Sequence, residues 1–117
     1  MEAEKLLDEF ASQGTTRGGE FYLPREITVP FARRADELGV AIIGAEAAIL
    51  EDSGTIPQSH LILDLSSVHS PEWETYRREC NRESEMFLAA LPERLRLYVS
   101  FVLIGRTEWF QGHIAEQ

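Results

Sequence analysis

Cysteine is nearly absent from this sequence: Cys80 stands alone among 117 residues. An intramolecular disulfide is therefore excluded, and the chain is expected in a reducing, cytoplasmic compartment. Bases are scarce too. Eleven Lys and Arg stand against twenty Asp and Glu, for a formal net charge of −9 at pH 7. Nucleic-acid binding relies on cations that displace counterions from phosphates, so this balance argues against DNA and RNA, and against an anionic membrane surface. Long apolar runs are missing. The longest lies within Val40–Leu50 and is broken by Gly44 and Glu46, whereas a spanning helix needs about 20 mostly apolar residues. The opening Met-Glu-Ala-Glu-Lys lacks the basic-then-apolar profile of an export signal, and the start at Met1 reads as a complete product. No phosphate-binding loop is present, because Gly18-Gly19 is followed by neither lysine nor a helix, and no Gly-x-Ser-x-Gly elbow occurs.

What the chain does contain is enough apolar material for one core. Hydrophobic residues make up 44%, which suits a single domain over residues 1–117. Ala3, Leu6, Leu7 and Phe10 recur at helical spacing and predict a helix over 2–12 that stops at Gly14. Thr15 to Gly19 reads as a polar loop, with a short extended piece at 21–23. A second helix is expected over 30–38, capped by Thr28, with Pro30 in its first turn and Arg33 and Arg34 turned to solvent. Val40–Glu51 reads as strand, because Val40, Ile42, Ile43 and Ile49 favour it and Gly39 and Gly44 bracket its first part, with one continuous helix as the alternative that its alanines offer; Gly44 marks a bulge or a close backbone approach. Asp52-Ser53-Gly54 signals a turn, returning through Thr55 and Ile56, and His60–Leu65 makes another short strand. The clearest helix covers 71–91. Ser70 is its expected N-cap and Pro71 its first residue, and Trp73, Tyr76, Cys80, Ser84, Phe87, Leu88 and Leu91 lie along its buried stripe. Leu95–Ile104 alternates as a strand, and the tail through Trp109 and Phe110 is either a last strand or a docked segment. Together these predict an α+β fold: an antiparallel sheet of about four strands with helices on one face, including the long helix near 71–91.

Chemistry-bearing groupings are few. His60, Asp64 and His69 are the right types for zinc, but their spacing matches no ligand pattern. Cys80 with a histidine would make a nucleophile and base, yet Cys80 falls on the apolar stripe. No catalytic residue, metal or cofactor is expected. A carboxylate inside the most apolar segment, Glu46, belongs on the solvent face of a strand or with a buried partner. The abundant acid instead suggests a surface that meets a basic protein. Glu46, Glu51, Asp52 and Asp64 from the sheet, with Glu72 and Glu79 from the long helix, are the candidate acidic patch. Trp109 and Phe110 are candidate aromatic anchors or, equally, core residues.

One stretch has a familiar outline. Leu38-Gly39-Val40-Ala41-Ile42-Ile43-Gly44-Ala45-Glu46 runs into Ile49-Leu50-Glu51-Asp52 and then Thr55-Ile56-Pro57. Trp73 and Tyr76 and the aromatic stretch Tyr98–Ile104 follow. This resembles small immunity proteins encoded beside bacterial polymorphic toxins, although Ala45 stands where a second glycine is expected and the aromatics after Pro57 are missing. The resemblance implies a cytoplasmic antitoxin, monomer or homodimer, that covers the active site of a cognate toxin, with a basic nuclease as one candidate. Two alternatives stay open: an acidic secretion chaperone that binds an effector, and a small enzyme or ligand-binding domain with a pocket between helix and sheet.

Overall fold

The computed structural model describes the backbone of residues 2–116 and the side chains of residues 2–112. Its first helix, α1 (Glu2–Phe10), buries Leu6 and packs Ala3 and Phe10 on the core, while Leu7 stays exposed. A 3-10 turn over Ala11–Gln13 leads to Gly14, where a Cβ would meet the Phe21 ring and the Tyr22 carbonyl at 2.5 Å. The stretch expected as a loop is instead a hairpin: β1 (Thr15–Arg17) pairs antiparallel with β2 (Glu20–Pro24). Gly18 and Gly19 turn it with φ of 57° and 84°. That is the left-handed geometry that two-residue hairpins favour and glycine adopts freely.

The second helix, α2 (Arg25–Glu37), begins five residues before the expected residue 30. Pro24 caps it without a side-chain bond, and the Arg25 N–H donates to the Leu97 carbonyl at 3.0 Å. Thr28 is therefore not the cap. It is buried in the first turn, where its hydroxyl donates to the Arg25 carbonyl at 2.7 Å. Pro30 sits inside the helix and forfeits one main-chain bond, a loss offset by the fully buried Phe31 and Ala35.

β3 (Ala41–Glu51) and β4 (Gly54–Asp64) form the expected hairpin, but the two return pieces are one strand. Pro57 is accommodated because β4 is an edge strand. Both β3 ladders carry a register shift, one beside Gly44 and one between Glu46 and Ala48, so a bulge does fall at Gly44. The long helix, α3, spans Trp73–Ala89, shorter at both ends than predicted. Ser70 is not its cap: Ser70 Oγ accepts the Glu72 N–H at 3.3 Å and Glu72 occupies the N-cap position. β5 (Tyr98–Ile104) and α4 (Arg106–Glu116) complete the chain, so the tail is a helix rather than a last strand.

The sheet runs in the order β1-β2-β5-β3-β4, with every neighbouring pair antiparallel. The fold is thus α+β, with a fifth strand contributed by β1. On one face, Leu6, Phe31, Ala35 and Leu88 from the helices meet Ile42, Ala45, Ala47, Leu97 and Val99. A smaller cluster joins Trp73, Tyr76 and Cys80 of α3 and Trp109 of α4 to Ala41 and Leu65.

Between the two clusters α3 passes the edge of β3 that β4 leaves uncovered. Asn81 Oδ1 accepts the Ile42 N–H at 2.9 Å, and Asn81 Nδ2 donates to the Val40 carbonyl at 2.8 Å. Ser84 Oγ adds a bond to the Ile42 carbonyl at 3.3 Å. Two helical side chains thereby do what a strand would do. Arg77 is buried and ties α3 to α2 through Asp36 and to Glu74.

Candidate partner-binding face

Along β5 the residues Val99, Phe101 and Leu103 pack on the core beneath the helices, as Leu97 just before it does, which leaves Ser100 and Val102 on the other side. Glu46 pairs with Ser100 on β5 and with Ile62 on β4, and Gly44 pairs with Val102 and Asp64. Glu46, Ile62, Asp64 and Val102 therefore share the face opposite the larger core cluster, where Tyr76 of α3 reaches one end. An open cleft of about 400 Å³ lies there, and Glu20 of β2 also lines it. Glu20, Glu46 and Asp64 are all exposed. Among the described residues no Lys, Arg or His lines the cleft.

Apolar side chains accompany the acids. Ile62 is 48% and Val102 57% exposed, and both lie on this face. Gly44 lies between them, and a Cβ there would stand 3.5 Å from Val102. Its missing side chain thus helps keep the cleft open. At the rim, Asp64 Oδ1 accepts the Ser66 backbone N–H at 2.9 Å, which holds its carboxyl below the usual carboxylate range. Asp64 is consequently charged at neutral pH.

The candidate acids do not form one patch. Glu46 and Asp64 come together. Glu51 and Asp52 sit at the far end of the β3–β4 hairpin, about 17 Å along the strand from Glu46 at ~3.3 Å per residue. A cation already occupies that end, because the Arg17 guanidinium donates to the Glu51 carbonyl, and Arg17 and Arg96 line the neighbouring depression. Glu72 stands at the start of α3 beside Arg106 and Phe110. Glu79 is exposed on α3 and lines none of these clefts. Trp109 is 4% exposed and packs on Trp73, Tyr76 and Phe110 with ring centroids 5.1–5.7 Å away. It is core; the exposed apolar side chains at the cleft are Ile62 and Val102. These two, with Glu20, were missed in the sequence. The alternation of β5 carried the signal for Val102, whereas Glu20 reaches the cleft only through the strand order.

The other groupings are not assembled. His60 is exposed on β4 and His69 in the loop before α3. Among the described residues no three His, Cys, Asp or Glu side chains are placed to hold a metal ion. Cys80 is fully buried, and burial pushes its thiol pKa up. Burial beside Cys80 likewise pushes the Tyr76 phenol up to about 12. A reactive thiolate needs exposure and a lowered pKa. Cys80 is accordingly expected to resist a thiol reagent such as dithionitrobenzoate in the native chain and to react rapidly in denaturant. Fast stoichiometric reaction without denaturant would contradict this burial.

Scans against protein-family models and curated proteins find no match to this chain. No helix among the described residues is long and apolar enough to cross a membrane.

Proposed function

We propose that the chain is an immunity protein that binds a basic toxin domain through the open face of its sheet and blocks that toxin's active site in the cytoplasm. The observation that carries this reading is the cleft with three carboxylates, two exposed aliphatic side chains and no base along its described lining. Carboxylates projecting from a rigid sheet can take the place of phosphates that a basic nuclease grips, while Ile62 and Val102 supply desolvated contact area. The resemblance in residues 38–104 supports the same reading, since it centres on the β3–β4 hairpin that carries Glu46.

The reading calls for binding in a fixed ratio, with no turnover. Co-expression with the toxin domain encoded beside its gene is expected to restore growth. The double substitution Glu46→Lys/Asp64→Lys should abolish rescue and weaken binding by about 10- to 100-fold, or ~1.4–2.8 kcal/mol. Gly44→Leu, which fills the cleft without changing charge, should also weaken it. Glu79→Lys, on another surface, should leave rescue intact. Full rescue by Glu46→Lys/Asp64→Lys would move the interface elsewhere.

A further inference from the structure

β4 closes one side of the sheet with an eleven-residue edge. Long edges are usually blunted by Lys, by charge or by a cover. Residues 53–63 contain no Asp, Glu, Lys or Arg, and Pro57 lies in the first part of the strand. In the last part, beyond the register shift, Ile62, Leu63 and Asp64 pair with Glu46, Ala45 and Gly44; His60, Ile62 and Asp64 are exposed, and Leu61 and Leu63 pack on the core. The Leu65 N–H donates to the Ile43 carbonyl at 3.0 Å, and the register continues through Leu63 and Ala45. Main-chain groups alternate sides along a strand. Those of Ile62 and Asp64 consequently point outward, away from β3, and the alternating exposure of residues 60–64 places the His60 side chain on the same face as theirs.

We infer that β4 is the pairing edge for a second copy of this chain, joined antiparallel about a two-fold axis at Ile62. In this register the segment is complementary to itself. Ile62 meets Ile62 of the other copy, and each His60 stands opposite the other copy's Asp64. Imidazole faces carboxylate twice, and two aliphatic side chains that are half-exposed in the single chain cover one another. Charge selects the same route. Two chains of net charge −9 repel over most of their surface, whereas residues 53–63 carry no Asp, Glu, Lys or Arg and the one acid of the paired segment, Asp64, faces an imidazole. The paired sheets would carry both acidic clefts on one continuous face. A contact of one strand pair is small, so the dimer dissociates in roughly the micromolar to millimolar range.

Sedimentation equilibrium of the full chain, loaded from about 1 μM to about 1 mM, is expected to show a reversible monomer–dimer equilibrium. Ile62→Lys and His60→Asp should each raise the dissociation constant about tenfold or more. The exchange His60→Asp/Asp64→His should bring it back. Independently of that equilibrium, Ile62→Cys should yield a disulfide-linked dimer on mild oxidation. Directly opposed hydrogen-bonded residues have Cα atoms about 5.5 Å apart, within disulfide reach, and the native Cys80 is buried. His60→Cys should not cross-link to itself. The inference is overturned by a chain that stays monomeric over the whole range, by a dimer none of these substitutions weakens, or by cross-linking at residue 60 in place of 62.

Discussion

Replacing Asn81 with alanine is expected to lower stability by about 2–4 kcal/mol, because two buried main-chain groups lose their partners. The Ile42 N–H and the Val40 carbonyl both end on this side chain, at 2.9 and 2.8 Å, and Asn81 is only 5% exposed. Water cannot replace it without opening the contact between α3 and β3. In a domain of this size such a loss lowers the melting temperature by about 10–20 °C. Asn81→Asp is the sharper probe. It keeps the shape and the acceptor for Ile42 but removes the donor to Val40. It also sets a carboxylate against Asp36, whose Oδ1 now accepts from Asn81 Nδ2 at 2.8 Å. The added carboxyl has its folded pKa raised by burial and by Asp36. The deficit relative to the native chain is therefore largest above that pKa and shrinks as pH falls through it. Denaturant unfolding of both variants over a range of pH checks the sign. A deficit below about 0.5 kcal/mol for Asn81→Ala would contradict the edge-capping role.

Trp109→Ala should cost about 3–5 kcal/mol, the range for deleting a large buried aromatic. The indole packs on Trp73 at 5.7 Å and Tyr76 at 5.6 Å. These contacts hold α4 against the smaller core cluster. Trp109→Phe should recover more than half of the loss. Thermal unfolding together with near-ultraviolet circular dichroism, which senses the two tryptophans, distinguishes core from anchor. A variant that keeps native stability and loses only partner binding would return Trp109 to the interface.

The elements readable from the sequence were those whose local signals and tertiary needs agree. Gly39 and Gly44 bracket a β-branched run and Asp52-Ser53-Gly54 turns it, so β3 and the hairpin could be placed. Three other elements depend on contacts that no local pattern announces. β1 is a polar edge that exists by pairing with β2. α2 starts early because the Arg25 N–H finds the Leu97 carbonyl. α4 is held through Trp109. Asn81 and Arg77 look like ordinary polar positions in the sequence, because a helix register shows which side is buried but not that a strand edge or Asp36 waits there. At the site, strand alternation was enough to bring Glu46 and Asp64 to one face. It could not show that Arg17 crosses to the Glu51 end and divides the expected patch.

Titration calorimetry between the purified chain and the basic toxin domain of the proposed function tests the central claim most directly. One-to-one binding is expected that weakens with added salt, falls about 10- to 100-fold in Glu46→Lys/Asp64→Lys, and is unchanged in Glu79→Lys. Equal affinity for the native chain and Glu46→Lys/Asp64→Lys would contradict the assignment of the open sheet face as the working surface.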